Sequence, residues 1–113
     1  MKRHGHARTD YRNLALHRAA LDKLRLQPQL LSRVLALLEK WLADDALKDS
    51  RPYLRQWHDM LTKWPFERMA EFVLHPENGQ AIRQCSPLGP ALTPRERWSI
   101  FKQADAEARL LEL

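Results

Sequence analysis

The chain has 113 residues, of which 44% are hydrophobic and 29% are charged, and it contains four tryptophans and one cysteine. A folded chain of this length buries roughly two-thirds of the surface that it exposes when unfolded, so it can form one domain with its own core. This composition excludes a disordered or fibrous chain, and a single cysteine excludes an internal disulfide.

The net charge of +5 comes from the N-terminal quarter of the chain. Residues 1–26 contain seven basic and two acidic residues, which accounts for the whole excess. We predict that residues 1–8 form a basic flexible arm ahead of a single helical domain, residues 9–113. Four basic side chains of the arm and the first helix are candidates for contacts to nucleic-acid phosphates. These are Lys2, Arg3, Arg8 and Arg12.

Hydrophobic periodicity predicts helices along the rest of the chain. Thr9 or Asp10 caps a first helix that runs to about Leu26. The second helix has the strongest pattern, with apolar residues at steps of three and four from Leu30 to Leu42. It is expected to be the central packing helix.

Proline, glycine and polar residues delimit three further helices. Ser50 and Pro52 signal the start of a third helix, and Pro65 separates it from a fourth that ends near His75. The turn PENG precedes a short helix from Gln80. The four tryptophans belong to the second, third and last helices, where we expect them to be core residues, with one or two of them facing a partner.

The last helix has the clearest start signal in the sequence. Thr93, Pro94 and Glu96 have the spacing of a capping box with proline at the first helical position. The helix is predicted to run to about Leu111, with Trp98 on its apolar side. Because no stretch alternates in the manner of a strand, we predict an all-α fold, a compact bundle of five to six short helices.

The sequence contains no recognisable catalytic or cofactor motif. His4 and His6 form a pair without a third metal ligand at a suitable spacing, and neither a phosphate-binding loop nor a dinucleotide fingerprint is present. We therefore expect a protein that is not an enzyme and needs no cofactor or metal. A small hydrolase or nuclease that uses His17, His58 or His75 is the remaining catalytic alternative.

No run of the sequence approaches the roughly 18 apolar residues of a membrane span. The basic start MKRHGHARTDYR also lacks the apolar segment of a signal peptide. We expect a cytoplasmic protein that does not associate with membranes.

The proline-rich loop, residues 86–92 with the sequence SPLGPAL, departs from the helical pattern. Pro87 and Pro90 restrict its backbone, and Gly89 permits a turn. Its apolar residues, Leu88 and Leu92 among them, must pack on the core or be covered by a partner.

This loop and the helix start after it resemble a C-terminal pattern of small, all-helical bacterial antitoxin-like proteins, which are encoded beside a toxin that is often of the nucleotidyltransferase type. The matching residues are Arg83, Gln84, Ser86, Pro87, Leu92, Thr93, Pro94, Glu96, Arg97 and Trp98. Cys85 and the run Leu88-Gly89-Pro90 depart from that pattern. The resemblance implies an interaction protein that binds and masks a co-encoded toxin.

We predict that the loop and the start of the last helix form the contact with such a protein partner. Leu88 and Leu92 are the expected apolar anchors, and Arg95 and Arg97 the expected contacts to carboxylates. The complete predicted set is Ser86, Pro87, Leu88, Leu92, Arg95, Arg97 and Trp98. The alternative is a transcriptional regulator that binds nucleic acid through its basic N-terminal residues; the resemblance allows both, since antitoxins commonly bind their own promoter.

Overall fold

The computed structural model describes residues 3–113, with side chains from residue 7 onward, and this part of the chain forms six α-helices. They are α1 (Arg3–Leu26), α2 (Leu31–Leu42), α3 (Arg51–Lys63), α4 (Phe66–Leu74), α5 (Gln80–Arg83) and α6 (Pro94–Leu110). Short 3₁₀ turns lie at Pro28–Leu30, Asp45–Ser50 and Gly89–Ala91. The described residues contain no strand, and the predicted all-α bundle of five to six helices is confirmed.

The first helix begins further toward the N-terminus than the sequence predicts. α1 starts at Arg3, so residues 3–8, which were expected to be an arm, are its first turns. Arg8 donates a hydrogen bond from Nη2 to the Leu113 carbonyl oxygen at 3.2 Å. Tertiary contacts of this kind stabilise helical turns that lie before Thr9 and Asp10, the caps predicted from the sequence.

α1 and α6 lie antiparallel along one side of the bundle. Tyr11 near the start of α1 donates its O–H to Glu107 near the end of α6 at 2.9 Å, and this hydrogen bond raises the pKa of Tyr11. At the opposite end of the pair, Lys23 of α1 forms an ion pair with Glu96 of α6. The small residues of α6 that are buried are Ala104 and Ala108.

The remaining helices enclose an apolar core around Trp57. This side chain is fully buried on α3, and its Nε1–H donates to the Ile82 carbonyl oxygen of α5 at 2.7 Å. Burying a tryptophan together with a hydrogen bond for its indole nitrogen avoids the cost of an unpaired donor. Further core residues from α1 to α4 are Leu21, Leu24, Val34, Leu38, Leu54, Met60, Met69 and Val73.

The predicted capping box at the start of α6 is confirmed. The Thr93 Oγ1 accepts a hydrogen bond from the Glu96 backbone N–H at 3.1 Å, and the Glu96 Oε1 accepts one from the Thr93 N–H at 2.8 Å. Pro94 occupies the first helical position, where no N–H is needed. The start of α6 is thus fixed by local interactions.

Replacing Thr93 with alanine is expected to lower the free energy of unfolding by about 1 kcal/mol, because the first turn of α6 loses the acceptor for one of its free N–H groups. Thr62→Ala is the matched control, since the Thr62 hydroxyl only donates to the His58 carbonyl oxygen within α3. Urea denaturation of both variants measures the difference. Equal losses in the two variants would mean that the cap does not stabilise the protein.

Candidate functional site

The proline-rich loop is part of the core. Leu88 is 2% exposed and Leu92 8% exposed, and Pro87 is also fully buried. The 3₁₀ turn Gly89–Ala91 packs against α1 and α2. Leu88 and Leu92, predicted as anchors for a partner, therefore lie in contact with the chain's own helices and are not available on its surface.

Ser86 and the prolines shape this loop from within. The Ser86 Oγ accepts a hydrogen bond from the Leu88 N–H at 3.2 Å, and Pro90 lies in the 3₁₀ turn with its restricted backbone. Since these local interactions direct Leu88 inward, the loop acts as a stiff connector that also fills the core. Its apolar content is explained by packing.

The exposed aromatic residue of this region is Trp98, which is 64% exposed. It does not lie on the buried side of α6, as the sequence predicts, but stacks on the half-buried Phe101 with ring centroids 6.4 Å apart. Lys102 Nζ lies 5.9 Å from the centroid of the Trp98 ring. We call the exposed side chains Arg95, Trp98 and Lys102, which recur at helical spacing, the Trp98 face.

The predicted arginines occupy two different places on α6. Arg95 lies on the Trp98 face, whereas Arg97 borders a cleft between α1 and the proline-rich loop. Both side chains are exposed, and neither has a hydrogen-bond or ion-pair partner among residues 7–113. Glu96 between them is already paired with Lys23, and the hydrogen bonds from Lys23 and the Thr93 N–H lower its pKa and keep it ionised.

The cleft beside Arg97 has a volume of about 160 Å³. Its walls are mostly apolar, with Leu16 and Ala20 from α1 facing Leu88 and Leu92 from the loop. The side chains that bring polar atoms to its lining are Ser86, His17 and Arg97. Four of the seven predicted contact residues therefore border one cleft.

His17 is the buried polar residue of this cleft. It is 7% exposed, and its Nδ1 donates to the Asn13 carbonyl oxygen at 2.8 Å. With the proton on Nδ1, the neutral ring has a lone pair on Nε2, which has no hydrogen-bond partner. Burial lowers the pKa of His17, and the positive charge of Arg83 lowers it further.

We predict that His17 makes the protein less stable below neutral pH. The folded-state pKa of His17 lies below the usual 6.5, so near pH 6.5 the unfolded chain binds a proton that the folded chain does not. The free energy of unfolding therefore falls as the pH drops through 6.5. The slope per proton is at most about 1.4 kcal/mol per pH unit. His17→Asn should flatten this dependence in urea denaturation between about pH 7.5 and 5.5, whereas the control His58→Asn should keep it. Parallel curves for wild type and His17→Asn would contradict the assignment.

The basic residues near the N-terminus are less free than the sequence predicts. Arg12 forms an ion pair from Nε to Asp105 at 3.3 Å, and its guanidinium lies 4.0 Å from the centroid of the Phe101 ring. Arg8 is bonded to the C-terminal residue of the chain. Arg3 is the first residue of α1, and Lys2 lies outside the described residues.

Arg83 is a structural residue that the periodicity of the sequence does not reveal. It is 4% exposed, and it donates to the carbonyl oxygens of Val73 and His75 at the end of α4, at 2.7 and 2.8 Å. It also donates to Asn13 Oδ1 at 2.9 Å. The backbone at Gly79 lies so close to the end of α4 that a Cβ there would collide with the Val73 carbonyl oxygen. This position therefore requires glycine. Burial lowers the pKa of Arg83.

The side chains described for residues 7–113 include no group of three or more histidine, cysteine, aspartate or glutamate residues that could hold a metal ion. No described helix is long and apolar enough to cross a membrane. The backbone places His4 and His6 in the first turns of α1.

Comparisons with protein-family models, with curated proteins and with solved structures found no match. Two features of the described surface are candidates for binding: the Trp98 face and the cleft beside Arg97. Both involve α6, since Trp98 and Arg97 are consecutive residues of this helix and their side chains point about 100° apart around its axis.

Proposed function

We propose that this chain is a non-enzymatic interaction protein, an antitoxin-like partner that binds and masks a co-encoded toxin through the Trp98 face. The observation that supports this most directly is the exposure of Trp98. Of the four tryptophans, Trp57 is buried and Trp41 and Trp64 are half-buried, whereas Trp98 presents most of its indole to solvent. An exposed tryptophan is the residue most enriched among those that dominate binding energy at protein interfaces.

The charges around Trp98 define the surface that the partner presents. Arg95 and Lys102 flank the indole, and Arg97 lies beside it, all three exposed and without acidic partners among the described side chains. The partner surface is accordingly acidic around a pocket for the indole. Such complementarity accelerates association at low salt and disfavours basic partners.

A growth assay in a bacterial host tests this proposal. Expression of the neighbouring gene alone should arrest growth, and co-expression of the wild-type chain should restore it. The double variant Trp98→Ser with Arg95→Glu should fail to restore growth, while it accumulates to the same level as wild type.

The matched control replaces an exposed aromatic residue and an exposed arginine on another helix. Tyr53 and Arg55 are exposed on α3. Tyr53→Ser with Arg55→Glu should therefore restore growth fully. The proposal is wrong if the two double variants protect the cells equally well.

The alternative, a regulator that binds nucleic acid, receives less support from the same geometry. Of its four candidate residues, Arg12 is already paired with Asp105, and Arg8 contacts the C-terminus. Two remaining phosphate contacts would give a salt slope of about −1.8 in a double-logarithmic plot, against about −3.6 for four. Lys2→Glu with Arg3→Glu tests this in a DNA-binding titration, and unchanged binding excludes the N-terminal residues.

A further inference from the structure

Three exposed cations recur along α6 at steps of seven residues. They are Arg95, Lys102 and Arg109, and none of them pairs with a carboxylate among residues 7–113. Seven residues make almost two turns of an α-helix, so these side chains extend from the same side of α6 at intervals of about 10 Å. We call them the cationic stripe. With Arg109 it extends the Trp98 face to a length of about 20 Å.

The indole of Trp98 lies along this stripe and is held by a stack of side chains. Phe101 stacks on the indole with an interplanar angle of 15°, and the Arg12 guanidinium lies 4.0 Å from the centroid of the Phe101 ring. Because Arg12 belongs to α1, the stack ties the indole to a second helix. Trp98 therefore loses little further freedom when a partner binds, which lowers the entropic cost of association.

Asp105 is an acidic side chain beside the stripe, and Arg12 compensates its charge. The Nε of Arg12 lies 3.3 Å from the Oδ1 of Asp105, and the two side chains are 27% and 31% exposed. Both atoms are buried, and neither has a hydrogen-bond partner. Their ion pair keeps the carboxylate of Asp105 from opposing the positive charge of the neighbouring Lys102 and Arg109. The stripe thus presents positive charge along its whole length.

The spacing of the cations indicates the shape of an anionic partner. An α-helix repeats its side chains on one side every seven residues, at intervals of about 10 Å, which matches the stripe. A β-strand repeats them on one face at about 7 Å. The phosphates of a DNA strand follow one another at about 3.4 Å and turn around the duplex axis. A helix also brings an apolar residue to the indole between two charges, as in coiled coils.

We propose that the cationic stripe binds an acidic, amphipathic α-helix of the partner, with one carboxylate residue in each of three successive heptads. The carboxylates pair with Arg95, Lys102 and Arg109. An aliphatic residue between the first two carboxylates packs on the indole of Trp98. This inference rests on the proposed function, since it describes the segment that the toxin places on the Trp98 face.

A synthetic helix tests the proposal without the toxin. The probe is a peptide of three heptads with blocked ends, built from alanine and glutamine, with glutamate at the same position of each heptad and leucine three residues after each glutamate. The control peptide has the same composition, but its glutamates are five residues apart and point about 140° away from one another.

NMR titration of the full chain, followed through its backbone amides, compares the two peptides. We expect saturable shifts at residues 95–109 with a Kd on the order of 0.1 mM for the probe. The control peptide should bind about tenfold more weakly, because only one of its carboxylates can face the stripe at a time.

Charge reversal assigns the far end of the stripe. Arg109→Glu lies outside the Trp98 face and should weaken binding of the probe about fivefold. Arg55→Glu replaces an exposed arginine of α3 and is the matched control, which should bind the probe like wild type.

A rescue experiment tests the role of Arg12. Arg12→Met leaves the charge of Asp105 uncompensated and should weaken binding of the acidic probe about threefold. Adding Asp105→Asn should restore most of the affinity, because it removes the opposing charge. A variant that merely disturbed the fold would not be rescued in this way, and circular dichroism confirms the helix content of both variants.

Oligodeoxythymidine, titrated at the same salt concentration, distinguishes a nucleic-acid surface. If it binds residues 95–109 more tightly than the probe, the proposal is overturned in favour of nucleic acid. The proposal is also overturned if neither peptide shifts these residues, if both peptides bind equally, or if Arg109→Glu binds the probe like wild type. The growth assay decides the proposed function separately, so growth rescue without preference for the probe refutes the acidic helix alone.

Discussion

Replacing Arg83 with methionine should lower the free energy of unfolding by about 3 kcal/mol. The substitution keeps an unbranched side chain but removes the hydrogen bonds to the Val73 and His75 carbonyl oxygens at 2.7 and 2.8 Å, and only the His75 oxygen keeps another donor, the Gly79 N–H at 3.0 Å. It also removes the hydrogen bond to Asn13 Oδ1, which joins α5 to α1. Each buried acceptor left unpaired costs about 1–3 kcal/mol. The loss is limited because methionine avoids the cost of burying a charge.

Urea denaturation at neutral pH measures this loss. Arg55→Met is the matched control, because Arg55 is exposed on α3, and it should change stability by no more than about 0.5 kcal/mol. Arg83→Lys should recover little, since one ammonium group cannot reproduce the planar set of donors. A loss below about 1 kcal/mol for Arg83→Met would show that these hydrogen bonds do not hold α1, α4 and α5 together.

Replacing Leu88 with alanine should cost about 3 kcal/mol, within the range of about 2–5 kcal/mol for buried leucines. Leu88 is 2% exposed, so the substitution leaves a void in the core beneath the proline-rich loop. The exposed Leu26 gives the matched control, and Leu26→Ala should have almost no effect. Thermal or urea denaturation of the two variants provides the comparison.

The same pair of variants separates a core role of Leu88 from a partner contact. Under conditions where Leu88→Ala is still folded, its affinity for the partner should equal that of wild type, because the side chain lies inside. If Leu88→Ala keeps its stability but loses partner binding, Leu88 belongs to the interface and not to the core.

Local signals explain most of the helix boundaries. The capping residues Thr93 and Glu96 lie three positions apart, so their interaction was predictable from the sequence and is confirmed. The periodic apolar pattern likewise gave α2 to within one residue of its observed start at Leu31. The capping box joins residues that are close in the sequence, and the apolar pattern of α2 repeats at regular steps.

Long-range contacts explain what the sequence did not reveal. The early start of α1 accompanies contacts from Arg8 to Leu113 and from Tyr11 to Glu107, which join opposite ends of the chain. The burial of Arg83 depends on a residue of α1 and on the end of α4. No periodicity encodes such pairings.

The candidate site illustrates the same division. The sequence predicted a partner surface from the apolar loop, but it could not decide between packing on the core and contact with a partner. The structure buries Leu88 and Leu92 and leaves Trp98 exposed. We therefore propose an interface on α6 and not in the proline-rich loop.

Calorimetric titration of the neighbour-encoded partner with Trp98→Ala tests the central claim most directly. We expect an affinity at least about 30-fold below that of wild type, the change that corresponds to about 2 kcal/mol at an interface hot spot. Tyr53→Ala removes an exposed aromatic residue from α3 and should bind like wild type. If Trp98→Ala binds the partner with wild-type affinity, the Trp98 face is not the interface.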